Sequence, residues 1–209
     1  MGMRREARPA LFLDRDGVLV EEVSYLRSPG DLRVLPGIGE TICLANASSI
    51  PVVLATNQSG IARGYFDWEA FAAVQDRLHS QLAQFSAHLD AVYACGYHPG
   101  GAVASLTSEH FWRKPGPGML EAAARDLAID LTSSWIVGDR SRDLEAGRAA
   151  GLAGGILVAT GYGHTADERL TARGLVTASF RVDHAPGLAA AWPALESQLG
   201  TKYDRSGSK

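Results

Sequence analysis

The feature that most constrains this chain is a recurrence. Short apolar runs, each closed by turn or charged residues, alternate with stretches of helical spacing. "ALFLD" (10–14), "PVVLAT" (51–56), "AVYAC" (91–95), "SWIVGD" (134–139) and "GGILVAT" (154–160) are apolar enough to be strands buried on both faces. Between them, "FAAVQDRLHSQLAQFSAHL" (71–89) spaces Phe71, Val74, Leu78, Leu82, Phe85 and Leu89 by threes and fours. That is one stripe of an amphipathic helix, with Asp67 placed to cap it. "PGMLEAAARDLAI" has proline near its start and "SRDLEAGRAAG" ends at Gly151, the signatures of two more helices. Strands alternating with helices predict an α/β fold: a doubly wound, mostly parallel sheet covered on both faces. One domain over residues 1–200, without a separate cap domain, is expected, and the polar residues 201–209 read as a flexible tail.

Composition enters as a set of exclusions. With 209 residues, 46% of them hydrophobic, the chain can build a full core without disulfides. A net charge of -3 gives no basic field for nucleic acid or an anionic membrane, so a phosphate site has to be built locally. The two cysteines, Cys43 and Cys95, suit a reducing compartment. The apolar run near the start, Ala10 to Leu13, is far too short for a membrane span or a signal-peptide core. A cytoplasmic monomer acting on a small molecule is the expectation.

The residues that close each strand are more telling than the strands themselves. Asp14 and Asp16 close the first, and "TNQSG" closes the second. The third opens a loop carrying Arg113 and Lys114, and the fourth ends in Asp139 and Asp143. In an open α/β sheet these strand ends share one rim, where ligands bind. The segments 17–36 and 96–118, the latter with five glycines and three prolines, leave the same rim and are expected to line the site. Carboxylates, one lysine and a hydroxyl gathered there have the parts for phosphoryl transfer. A phosphomonoester dianion repels a carboxylate; Mg2+ held by Asp14, Asp139 and the backbone carbonyl of Asp16 offsets that repulsion. Asp14 is then the nucleophile, and Asp16 the acid that protonates the leaving alkoxide and later the base for water. The Thr56 hydroxyl binds phosphoryl oxygens, Lys114 neutralises charge on the transferring group, and Asp143 braces Lys114 or a metal-bound water. Arg63, beside two glycines, suits close approach to an anion, and Arg113 suits a second phosphate on the substrate.

Each motif alone has a plainer reading, since Asp and Gly are ordinary turn residues and a lone Lys-Pro says little. Their order at successive strand ends is what singles out phosphoryl transfer. Elsewhere the plain readings prevail: His79 and His88 are placed on the long helix facing solvent, His164 and His184 lack a metal-ligand partner, Cys43 is core, and Trp68 and Trp135 are packing.

"FLDRDGVL", "TNQSGIARG", "RKPGPGML" and "VGDRSRD" resemble, in order, the four motifs of the haloacid dehalogenase-like (HAD) phosphohydrolases. They are similar in more detail to the D-glycero-D-manno-heptose 1,7-bisphosphate 7-phosphatases, relatives of histidinol-phosphatase. The resemblance implies a nucleophile at Asp14, an acid/base at Asp16, phosphoryl stabilisation by Thr56 and Lys114, and metal binding by Asp14, Asp16 and Asp139. It also implies substrate contacts at Glu22, Val23, Ser24, Tyr25, Asn57, Gln58, Ser59, Arg113 and Arg140. The implied activity removes the 7-phosphate and leaves a heptose 1-phosphate for activation by a nucleotide, toward surface polysaccharide. Histidinol-phosphatase or another small phosphomonoesterase is the nearest alternative. A silent phosphosugar-binding module and a nucleic-acid end phosphatase are more distant ones. The chain departs from the subgroup at its structural zinc, commonly held by Cys-x-His and Cys-x-Cys pairs. The matching positions are Cys95, Tyr97, His110 and Trp112, so Tyr and Trp replace two ligands. Cys95, His98 and His110 leave three candidate zinc ligands where a closed site takes four. Packing of Tyr97, Phe111 and Trp112 is expected to hold that loop instead.

Overall fold

The computed structural model of the chain describes residues 7–200; the expected tail at 201–209 lies outside them. Six strands form one sheet: β1 (Leu11–Leu13), β2 (Val52–Asn57), β3 (Ala91–Cys95), β4 (Trp135–Gly138), β5 (Gly154–Val158) and β6 (Arg181–Ala185). Their order is β3-β2-β1-β4-β5-β6, and every pairing is parallel. Successive side chains point to opposite faces, which divides the core in two. Leu11 and Leu13 join Ile42, Leu78 and Trp192 on one side, whereas Ala10 and Phe12 join Met119, Leu144 and Phe180 on the other. The first side is covered by α1 (Ile38–Ala47), α3 (Trp68–Ala83) and α7 (Leu188–Gly200). The second is covered by α4 (Gly118–Leu127), α5 (Ser141–Ala149) and α6 (Ala166–Arg173). A single turn, α2 (Ser59–Ala62), follows β2.

The long helix is shorter than its stripe. Asp67 caps it as expected, accepting from Ala70 N at 2.9 Å, but the helix stops at Ala83 and not at Leu89. There Ser86 N donates to Ala83 O and Ala87 N to Leu82 O, with Ser86 at φ 57°. That is a left-handed helix ending that lets Ala87 turn into the core, so Phe85 and Leu89 leave the stripe and His88 lies beyond the helix. Similar turns end α1, α4 and α5, with Ser49, Ala128 and Gly151 at the left-handed position. In each case the next residue is buried and heads toward the following strand. Only one of the four uses glycine, so only that stop is written in the sequence.

Strand β6 was not expected. It is an edge strand whose residues are mostly exposed, and its charges suit an edge that must not pair with another chain. Of the expected packing residues, Trp135 is buried and Trp68 is 44% exposed, its ring lying against Gly96 and edge-on to Phe71. Cys43 is half-buried against the first core, and neither cysteine is in a disulfide. Among the described residues no helix is long and apolar enough to cross a membrane.

Candidate active site

The strand order reverses between β1 and β4, and their carboxyl ends carry Asp14 and Asp139. Such a switch point splays the loops on either side and opens a crevice. Here the crevice is a cavity of about 340 Å³, bordered by every residue expected to contact substrate, from Glu22 and Tyr25 to Arg113 and Arg140. Both long loops reach it, as expected.

Its floor is rigidly wired. Lys114 Nζ lies 3.0 Å from Asp14 Oδ1 and 2.7 Å from Asp143 Oδ1, and donates to Ala55 O at 2.8 Å. Three acceptors occupy its three donors, with the side chain fully buried. Burial alone lowers the pKa of such a lysine, but Asp14 and Asp143 outweigh it and hold the pKa above the usual lysine value. Asn57 fixes the backbone of Lys114 reciprocally: its Nδ2 donates to Lys114 O and its Oδ1 accepts from Lys114 N, both at 3.0 Å. Asp143 therefore braces Lys114, and its Oδ2 also accepts from Arg140 N at 3.1 Å.

Asp16 is held from the other side. Arg15, 1% exposed, turns away from Asp14 and donates to both Asp16 oxygens, to Gln58 Oε1 and to Gln75 Oε1. Gln58 Nε2 donates to Asp16 Oδ2 at 3.1 Å and to the Thr56 hydroxyl at 2.9 Å. Thr56 and Lys114 thus lie beneath the floor, while Asp14, Asp16 and Asp139 face the cavity.

Asp14, Asp139 and Asp143 bring carboxylate oxygens within 4.8 Å of one another. Asp139 Oδ2 accepts from Tyr162 N at 2.9 Å. Burial, then the carboxylates of Asp143 and Asp14, push its pKa to about 8. Two glycines make room for it: a Cβ on Gly17 would stand 2.6 Å from Asp139 Oδ2, and one on Gly161 would collide with the same oxygen. When all three acids are ionised, the Lys114 charge leaves two negative charges uncompensated. An all-oxygen donor set with that charge fits a hard divalent cation such as Mg2+, and Asp14 and Asp139 are the residues that would hold it. Bound there, it would screen Asp14 from an approaching phosphate dianion.

The rim differs in kind. Arg140 lies over the Tyr162 ring, its Cζ 3.4 Å from the centroid, and pairs with Glu168 at 3.7 Å. Glu22 is pushed up to about 7, by burial first and then by Asp16. Arg15, Arg142 and Tyr162 border the cavity and are missed by sequence reasoning, and His98, read there as a zinc candidate, borders it too. Arg15 had a signal, since a charge between two aspartates at a strand end needs a buried partner; Arg142 and Tyr162 had none.

The zinc ligands do not gather. Among the described residues the cluster able to hold a metal is the aspartate trio, not Cys95, His98 and His110. His98 Nδ1 accepts from Gly100 N, His110 stacks on Tyr97 at 4.2 Å, and burial raises the Cys95 thiol away from thiolate. Tyr93, Tyr97, His110 and Trp112 form the packing there. Phe111 does not share it fully, being 58% exposed.

Residues 111–182 match the family model described as HAD-hydrolase-like. The chain is 49% identical over 150 residues, 72% of its length and 69% of the relative's, to D-glycero-beta-D-manno-heptose-1,7-bisphosphate 7-phosphatase of Mesorhizobium japonicum. It is 45% identical over 160 residues, 75% of its length and 81% of the relative's, to the D-glycero-D-manno-heptose-1,7-bisphosphate 7-phosphatase of Thermosynechococcus vestitus. The crystal structure of D,D-heptose 1,7-bisphosphate phosphatase from B. bronchiseptica, complexed with magnesium and phosphate, superposes with a TM-score of 0.77 at 36% identity. That match covers 91% of this chain and 99% of the other. The chain belongs to the heptose-1,7-bisphosphate 7-phosphatase family of HAD-like hydrolases.

Proposed function

We propose that this chain is a Mg2+-dependent phosphatase that removes the 7-phosphate of D-glycero-D-manno-heptose 1,7-bisphosphate. The observation that carries the reading is the contact of Lys114 Nζ with both Asp14 and Asp143 at the switch point. It holds the Asp14 carboxylate in place at the cavity, against a fully buried cation. In this reading Asp14 attacks phosphorus and the leaving alkoxide takes a proton from Asp16. Asp16 then removes a proton from the water that hydrolyses the phosphoaspartate. Arg15 and Gln58 orient Asp16 for both steps. Thr56, Asn57 and Lys114 set the floor, and the loops carrying Glu22 to Tyr25 and Arg113 hold the sugar and its second phosphate.

The product keeps its anomeric phosphate, ready for nucleotide transfer. The chain works in this reading as a single domain, supported by one continuous sheet with a core on each face, and as a cytoplasmic monomer. The test is phosphate release from both anomers of the bisphosphate, from the heptose 7-phosphate and from histidinol phosphate, with Mg2+ and with chelator. Preference for a bisphosphate, lost on chelation, is expected; preference for histidinol phosphate overturns the substrate.

A further inference from the structure

Arg140 borders the cavity and is expected to meet the substrate, but its guanidinium sits on a long side chain that has to be aimed. Its backbone is fixed within α5, where Arg140 N donates to Asp143 Oδ2 at 3.1 Å. Its guanidinium is held from outside that helix, by the segment that follows β5. The Cζ lies 3.4 Å from the centroid of the Tyr162 ring, a distance at which only a guanidinium lying flat avoids collision. Glu168 stands at the edge of the same group, its Oε1 3.7 Å from Nη1, while its Oε2 accepts from Ser141 N at 2.6 Å. Neither contact uses up a donor: among the described residues no guanidinium N–H of Arg140 forms a hydrogen bond to protein. The backbone puts Tyr162 in this place. Gly161, at φ 72°, carries the chain past Asp139, where a Cβ would collide with the carboxylate, and Tyr162 N then donates to Asp139 Oδ2 at 2.9 Å. The ring is not core: it is half-buried, borders the cavity and joins neither hydrophobic cluster. Among the described residues its hydroxyl makes no hydrogen bond to protein.

We infer that Tyr162 is a positioning residue, its ring the platform that aims the Arg140 guanidinium at the bound phosphosugar. This rests on the phosphosugar reading above and deepens it. An arginine free in solvent gives up several rotatable bonds when it grips a ligand, whereas one already laid flat on a ring has given them up beforehand. The aromatic face also stabilises the cation without neutralising it, which leaves the N–H groups for substrate oxygens. Tyr162 therefore acts on binding, through Arg140, and not on the transfer of phosphorus.

The test is a double-mutant cycle on heptose 1,7-bisphosphate with Tyr162→Leu, Arg140→Met and the two combined, and with Tyr162→Phe beside them. Tyr162→Leu keeps the backbone bond to Asp139 and is expected to raise KM about fivefold with a much smaller change in kcat. Tyr162→Phe, which keeps the ring, should restore the wild-type KM. Once Arg140→Met is present, Tyr162→Leu should add nothing. An equal loss with and without Arg140 overturns the inference, as does a Tyr162→Phe variant as poor as Tyr162→Leu; both leave the proposed function standing. A second readout needs no turnover. In the full chain carrying isotope-labelled arginine, the Arg140 Nε–H signal in the NMR spectrum is assigned by its loss in Arg140→Lys. The ring current of Tyr162 should move it upfield of the other arginine signals, and Tyr162→Leu should return it among them. An unshifted signal in wild type overturns the platform. If wild type hydrolyses no heptose phosphate, the proposed function falls and this signal decides the platform separately.

Discussion

The floor and the rim of one cavity are built on opposite plans. On the floor Lys114 is tied to Asp14, Asp143 and Ala55 O, and Asp16 to Arg15 and Gln58. These residues stand at the ends of buried parallel strands or are clamped to them, as Asn57 clamps Lys114. On the rim, Arg63, Arg113 and Arg142 come from loops and a helix start and lack carboxylate partners. A preorganised floor fixes the reacting atoms before substrate arrives, which is what transition-state stabilisation needs. A rim left short of partners is completed by its ligand, which is what selectivity needs. In the proposed reading, chemistry is placed on residues anchored at strand ends and recognition on side chains that await their acceptor.

Breaking the floor should have the larger consequences. Asp14→Asn keeps the shape and removes the nucleophile, so kcat should fall by about 10⁵-fold in a phosphate-release assay while the melting profile persists. Lys114→Met should lower kcat by about 10³-fold. It should also destabilise the chain by about 3 kcal/mol in urea, because Asp14 and Asp143 are left as buried like charges. On the rim, Arg113→Ala should raise KM about thirtyfold for a bisphosphate and much less for a monophosphate, the split visible in initial rates. Equal effects would erase the distinction between the two regions.

The last effect is one of pH and bears on the floor. Asp139 holds its proton up to about pH 8 in the folded chain, against 3.8 for the ordinary group. The unfolded chain therefore releases that proton first, and without metal the folded state loses stability as pH rises from about 4 to about 8. Glu22, raised to about 7, acts in the same direction. Melting temperatures of the chelated protein should fall progressively across that window, and added Mg2+ should reverse the fall most at its upper end.

Much of the floor was legible in the sequence because strand ends there are announced by apolar runs that stop at a charge. Asp14, Thr56 and Asp139 each close such a run, and Lys114 sits in a Pro- and Gly-rich exit. The rim was legible only in part. Arg113 neighbours Lys114, but Arg142 looks like any charge on an exposed helix turn, and His98 like any loop histidine. Their convergence depends on how the loop after β3 folds across to α5, and no local pattern encodes that. Strand β6 escaped for a related reason: an edge strand of alternating charge lacks the apolar run that betrays the central five. The helix ends at Ser49, Ser86 and Ala128 escaped because packing of the next residue, not glycine, imposes the left-handed turn.

The central claim is that Asp14 takes up phosphorus before water does. Two in-line displacements, each inverting phosphorus, give net retention. Hydrolysis of a heptose bisphosphate whose 7-phosphorus is made chiral with oxygen isotopes and sulfur should release thiophosphate of retained configuration. Net inversion would mean that water attacks the substrate directly and would contradict the role given to Asp14.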